Sequence, residues 1–169
     1  MQYIKIIILF MIFLSSSFIG KIIAGRYKYR VEELKEMKNA INIFKTKIKF
    51  TYSPIPEIFD EIAKNSNKNV GEIFNLAKKE MYNKTAGDAW EKAIFETKNN
   101  LKQEDKKTLS MLSKMLGKSD LEGQVSQIDI TLNFLEKQIK EAEVERNKNE
   151  KLYKKLGTIM GLALVIILI

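Results

Sequence analysis

The chain has 169 residues, none of them cysteine or histidine. The first absence excludes disulfides, zinc–cysteine sites and thiol catalysis. With histidine gone as well, the Ser–His and Cys–His nucleophile pairs and imidazole metal ligation are unavailable. Proline occurs twice, both times within Tyr52-Ser-Pro-Ile-Pro-Glu57. No alternating run of apolar and polar residues is long enough to argue a strand. What is present is 45% apolar and 30% charged, enough for a real core, and nothing in it points to an enzyme, a cofactor or a metal site.

The apolar residues concentrate at the two ends. Ile6 to Gly20 carries no charge, and apolar character continues past Lys21 to Arg26. About 20 residues suffice for one helical crossing of a roughly 30 Å hydrocarbon layer, with Lys21 snorkelling at its edge. At the other end Leu156–Ile169 spans only about 21 Å at about 1.5 Å per residue. A run that short also suits a buried core helix, but a terminal helix can end at the far headgroups if the bilayer thins slightly, at modest cost. Both runs are read as membrane spans. The alternative for the first is a removable signal peptide, because Ser15-x-Ser17 is a small-residue pattern of the cleavage kind. Against it, only the α-amine and Lys5 precede the run, and the stronger positive cluster follows it.

Charge placement sets the orientation. Lys21, Arg26, Lys28 and Arg30 follow the first run, and Lys148, Lys151, Lys154 and Lys155 precede the second. Lys and Arg concentrate on the cytoplasmic flank of a span. The expected division is a first transmembrane helix over 1–25, a cytosolic helical domain over 26–155 and a second transmembrane helix over 156–169. The same residues dispose of a nucleic-acid reading of the +8 net charge. These eight cations and Lys5 are nine of the 29 basic residues, leaving 20 against 21 acidic ones. A nucleic-acid binder carries its excess as a patch on the folded domain.

Between the ends the chain reads as all-α, a bundle of about six helices. Val31, Leu34, Met37, Ile41, Phe44 and Ile48 step by three and four, the seam of a helix continuing out of the first span. Pro54 and Pro56 suit the first turn of a second helix, capped by Ser53, that buries Ile55, Ile58, Phe59 and Ile62. A third helix, capped by Asn69 with Glu72, presents Val70, Ile73, Phe74, Ala77 and Met81 inward. Thr85 caps a fourth, with Asp88 at its third position and Trp90 on the face of Ala86, Ala89, Ala93 and Ile94. A fifth starts near Gln103 and places Leu109, Leu112, Met115 and Leu116 inward, and Gly117 stops it. Ser119 and Glu122 open the longest helix, whose seam is Val125, Ile128, Leu132, Leu135, Ile139 and Ala142, coiled-coil-like in spacing. Arg146 and Asn149 fall at the next seam places, so packing should weaken there. The two long seams run antiparallel and are expected to pack as a stalk with the short helices at its far end. Ser16-xxx-Gly20 and Gly157-xxx-Gly161 lie at matched depth and are candidates for close backbone packing of the two spans.

These motifs carry a resemblance. Ser53-Pro-Ile-Pro-Glu57, Val70-Gly-Glu-Ile-Phe74, Thr85-Ala-Gly-Asp-Ala-Trp90, Leu116-Gly-Lys-Ser-Asp120 with Gln124, and Leu156-Gly157 with Gly161-Leu162 occur in order between two spans. The chain thereby resembles the stage III sporulation protein AB family. The resemblance implies a membrane component of the channel complex between mother cell and developing spore, with a helical domain like the cytoplasmic domain of type II secretion F proteins. It further implies a non-enzymatic scaffold in the mother-cell membrane facing the forespore. Implied partners are other channel subunits, a secretion-type ATPase (stage III sporulation protein AA) and membrane lipid, with self-association as a further option. The family's usual Thr-Pro-Leu-Pro, followed by Glu-Ala-Leu, is here Ser-Pro-Ile-Pro followed by Glu57-Ile58-Phe59, a change of packing and not of chemistry.

Candidate partner contacts are the two loops Pro54, Pro56, Glu57 and Lys118, Ser119, Asp120, which serve equally as turns and caps. Glu57, Asp60 and Glu61 invite a metal reading, but consecutive helical positions spread over different faces, and a solvated surface fits them better. A two-span signalling or sensor protein is the alternative function. It would need a sizeable extracytoplasmic domain, which this topology denies.

Overall fold

The computed structural model describes residues 2–51, 53–117 and 120–168. Among them are six α-helices and no strand: α1 Gln2–Phe50, α2 Ile55–Asn65, α3 Lys68–Glu80, α4 Ala86–Glu96, α5 Gln103–Ser110 and α6 Leu121–Leu168, with a short 3-10 helix, Met111–Lys114, after α5. The chain divides into two compact units. One runs to Val31 and resumes at Glu141; the other is Glu32–Lys140.

The Glu32–Lys140 unit is built on the expected apolar stripes. Leu34, Met37, Ile41, Phe44 and Ile48 of α1 are buried, as are Ile128, Leu132, Leu135 and Ile139 of α6. Lys38 pairs with Glu136 at 3.2 Å, and Lys45 pairs with Asp129. The α1 partner advances by seven residues as the α6 partner retreats by seven, so the two helices run antiparallel here. At the centre four rings interlock, one from each of α1 to α4. Phe59 lies 5.3 Å from Phe44, 5.0 Å from Phe74 and 5.5 Å from Trp90, and Phe74 lies 5.1 Å from Trp90. Edge-on and tilted rings at such distances add about 0.5–1.5 kcal/mol per pair beyond burial. Glycine permits the closest helix approaches. A Cβ on Gly71 would stand 2.7 Å from the Ala63 carbonyl oxygen, and one on Gly87 only 2.0 Å from that of Ser113. Gly117 has φ +71°, the left-handed conformation in which the stretch before α6 leaves the 3-10 turn.

The caps differ in detail from the sequence expectation. Ser53 caps nothing: Pro54 occupies the cap position of α2 without a side-chain bond, while the Ser53 hydroxyl donates to Thr51 Oγ1 at 3.0 Å. Asn67, not Asn69, caps α3, its Oδ1 accepting from the Val70 N–H at 3.0 Å. Asn69 is drawn away because its side chain donates to Glu33. The cap of α6 falls on Asp120, whose Oδ1 accepts from the Gly123 N–H at 3.0 Å; Ser119 lies outside the described residues. Thr85 accepts from the Asp88 N–H at 3.2 Å, as expected. Loss of that cap costs about 1 kcal/mol, so Thr85→Ala should lower the urea midpoint modestly without changing the slope of the transition.

Some inner-face assignments soften: Ile55, Met81, Ala86, Met115 and Val125 are half-exposed rather than buried. Three polar groups are more deeply placed than periodicity implies. Arg30, Glu33 and Asp105 are all buried.

Candidate functional site

The terminal unit contains the four small residues singled out from the sequence, and the structure brings them together. The Ser16 hydroxyl donates to the Gly157 carbonyl at 2.9 Å. A Cβ on Gly20 would lie 2.8 Å from the Gly157 Cα, one on Gly157 would lie 2.8 Å from the Gly20 Cα, and one on Gly161 would press on the Phe13 ring at 3.0 Å. Two helix backbones approach this closely only where side chains are missing. Gly157→Leu with Gly161→Leu should therefore separate them, as overpacking of this kind costs about 1–3 kcal/mol or more. The cysteine-free chain makes the test clean. Tyr27 and Tyr153 stack at 5.7 Å, so a Tyr27→Cys, Tyr153→Cys pair should cross-link readily with a short thiol reagent, and several-fold less in the leucine background.

Packing thins near Arg146 and Asn149 as expected: both are half-exposed, and no residue of α6 between Ala142 and Gly157 is buried. Beyond Ala142 the α1–α6 contact in this unit is carried by the Arg30–Glu145 ion pair at 2.8 Å, with the arginine side chain buried, and then by the Tyr27–Tyr153 stack. Polar and aromatic groups replace aliphatic ones because both helices are leaving an apolar stretch for one flanked by lysines.

Outside these contacts the helix ends are apolar and bare. α1 holds the one stretch among the described residues that is long and apolar enough to cross a membrane, and only 11% of it is buried. On α6, Ile159, Met160, Ile166 and Ile167 are likewise exposed. In water such a surface would be a severe liability; in hydrocarbon it is the ordinary exterior of a span.

In the other unit, Pro54, Pro56 and Glu57 form an exposed entry to α2, with Pro54 setting the turn: its carbonyl accepts from the Glu57 and Ile58 N–H groups at 3.0 and 3.2 Å. Pro56 also borders a depression of about 130 Å³ with Lys78, Met81 and Tyr82. Tyr82 is 83% exposed. Sequence reasoning passed over Tyr82 and placed Met81 in the core; the signal was the absence of any apolar partner for Tyr82 in the turn before Thr85. Asp120 is exposed and engaged as a cap, while Lys118 and Ser119 lie outside the described residues. Among the described residues no hydrogen bond or ion pair links Asp120 with Pro54, Pro56 or Glu57.

Two of the three carboxylates considered for a metal, Asp60 and Glu61, are held by lysines instead. Asp60 meets Lys64 and Lys78, each at 2.7 Å, and Glu61 meets Lys47 at 2.8 Å. Hydrogen bonds from Lys64 and then Lys78 hold the Asp60 carboxyl below its ordinary value, and Lys92 and Lys84 do the same for Glu80. A carboxyl lowered by folding stabilises the fold above its unfolded pKa, and that contribution disappears as pH falls through the folded one. The urea midpoint should thus hold steady from neutral pH to about 5 and fall below about 4, with a shallower fall in Asp60→Asn, Glu80→Gln.

A model of the family described as stage III sporulation protein AB matches residues 5–169. The chain belongs to that family. Stage III sporulation protein AB of Bacillus subtilis (strain 168) is 26% identical over 162 residues, 93% of this chain and 94% of the relative. A solved structure of stage III sporulation protein AB matches in fold with a TM-score of 0.66 at 22% identity, over 71% of this chain and 98% of that one. Membership places the chain among sporulation proteins, and the family's name denotes a developmental stage rather than a reaction.

Proposed function

We propose that the chain is a non-enzymatic, two-pass membrane scaffold of the channel complex between mother cell and forespore. Its helical domain faces the mother-cell cytoplasm and links a secretion-type ATPase, stage III sporulation protein AA, to the other membrane subunits. The observation that carries this reading is the pairing of two bare apolar helix ends through Ser16, Gly20, Gly157 and Gly161. The reading takes both ends as spans with lysine and arginine on the cytoplasmic side. Family membership supports the setting in sporulation.

On this reading the ATPase docks on the loops Pro54–Glu57 and Lys118–Asp120. Retention of the purified ATPase by full-length protein in detergent tests it. Pro56→Ala, Glu57→Lys and Lys118→Glu, Asp120→Lys should each weaken retention at least tenfold while the helical circular-dichroism signal stays unchanged. Retention equal to wild type in both variants would remove these loops from the interface, and no retention by wild type would remove the ATPase link. Labelling of single cysteines at Tyr3 and Lys98 in sealed cells reads the topology: position 98 should be protected and position 3 accessible.

A further inference from the structure

The α4 edge of the Glu32–Lys140 unit carries two strips of opposite charge side by side. Between Thr97 and Gly117 the chain has five lysines, Lys98, Lys102, Lys106, Lys107 and Lys114, against two carboxylates. One of these, Asp105, is buried, which leaves Glu104 as the single exposed acid of the segment. Lys106, Lys107 and Lys114 enter no ion pair among the described residues, whereas Lys38, Lys45 and Lys78 of the same unit each hold a carboxylate. The face of α4 is the counterpart. Asp88, Glu91 and Phe95 follow one another at three and four residues, which sets them on one side of the helix, and all three are exposed. Asp88 accepts from the Thr85 hydroxyl at 2.7 Å and Glu91 from the Ser113 hydroxyl at 3.4 Å; among the described residues neither meets a cation. The second of these bonds makes the strips neighbours, for Ser113 also lies against Gly87 and directly precedes Lys114.

We infer that this edge is a self-complementary surface on which a second copy of the chain docks about a two-fold axis. Lys106, Lys107 and Lys114 of each copy meet Asp88 and Glu91 of the other. A two-fold contact uses the same patch twice, so the patch must contain its own complement, and adjacent strips of opposite sign supply it. Phe95 adds an apolar contact on the acidic side. Other anionic occupants fit less well. From Thr97 to Gly117 there is neither an arginine nor an aromatic ring, the groups that fork onto phosphate and stack on bases. A membrane surface would need apolar side chains to insert, and Leu101, Leu109, Leu112 and Leu116 are all buried.

Sedimentation velocity of full-length protein in a non-ionic detergent, at about 50 mM and about 500 mM salt, tests the surface. Wild type should pass reversibly from monomer to dimer as concentration rises, and associate about tenfold more weakly at the higher salt. Lys107→Glu, Lys114→Glu should weaken association about tenfold, with the helical circular-dichroism signal unaltered. Asp88→Lys, Glu91→Lys should do the same, the N–H of residue 88 still reaching the Thr85 cap. Mixing these two variants should restore a dimer, because each then meets its opposite. Lys68→Glu, a change of another exposed lysine on the first turn of α3, should leave association unchanged. A monomer at every concentration would overturn the inference, as would a dimer indifferent to salt and to both variants. Equal loss in Lys68→Glu, or no dimer on mixing, would reduce the effect to general charge and overturn it too. Species that keep growing beyond a dimer would overturn the two-fold arrangement.

Discussion

Trp90→Ala should destabilise the helical unit by about 3–5 kcal/mol, a large share of the roughly 5–15 kcal/mol by which a domain of this size is held folded. The residue is 1% exposed and meets both Phe59 and Phe74. Its Nε1–H donates to the Leu109 carbonyl at 2.8 Å, so truncation leaves a cavity in the ring cluster and an acceptor without its donor. Trp90→Phe separates the two effects: it keeps a ring and deletes the hydrogen bond, for about 1–2 kcal/mol. Urea denaturation of full-length protein in detergent, followed by far-ultraviolet circular dichroism, measures both. An alanine variant within about 1 kcal/mol of wild type would show that the cluster is not the centre of the unit.

Glu33→Ala should cost nearly as much, about 2–4 kcal/mol, although it deletes no apolar contact of note. Glu33 is 3% exposed. Its Oε2 accepts from the Asn100 N–H at 2.7 Å, and its Oε1 accepts from the Asn100 side chain at 2.6 Å and from the Asn69 side chain. One carboxylate on α1 thus fastens the first turn of α3 and the loop between α4 and α5. Its removal strands a half-buried backbone donor and two half-buried amide groups, each costly to leave unpaired where water reaches it poorly. Hydrogen exchange supplies the second readout: the Asn100 amide should exchange at least tenfold faster in Glu33→Ala, while the amides of α2 stay close to their wild-type rates.

Trp90 and Glu33 also mark how far the sequence can be read. Trp90 shares a helical face with Ala89, Ala93 and Ile94, and that spacing alone places it inward. The stripe from Val31 to Ile48 was legible for the same reason, since burial on a helix repeats with the turn. Glu33 has no such signature. Its partners lie 36 and 67 residues away, and local periodicity contains nothing about them. Arg30 is similar, its burial depending on Glu145 across 115 residues.

Caps failed more narrowly. Asn67 and Asn69 are both good caps two residues apart, and they are separated by contacts with α1: Glu33 takes the Asn69 side chain while Glu36 accepts from the Asn67 N–H. Of the candidate sites, the small residues of the two helix ends were legible because absence of a side chain is itself a spacing pattern. The depression beside Pro56 was not, because Lys78, Met81 and Tyr82 reach it only through the packing of α3 on α2, which Gly71 permits.

The Gly20–Gly157 approach has a bearing on assembly. Glycine patterns in membrane helices are commonly the place where one protein grips another, but here both patterns face each other within a single chain and leave no room for a third backbone. On the two-span proposal, a second copy or a helix of another subunit would therefore be met by the outward side chains: Phe10, Phe18 and Ile22 on one helix, Ile159, Ile166 and Ile167 on the other. Bulky aliphatic and aromatic surfaces pack with less exacting geometry than glycine ridges, so the chain offers neighbours a broad, forgiving flank and keeps its most specific contact for itself.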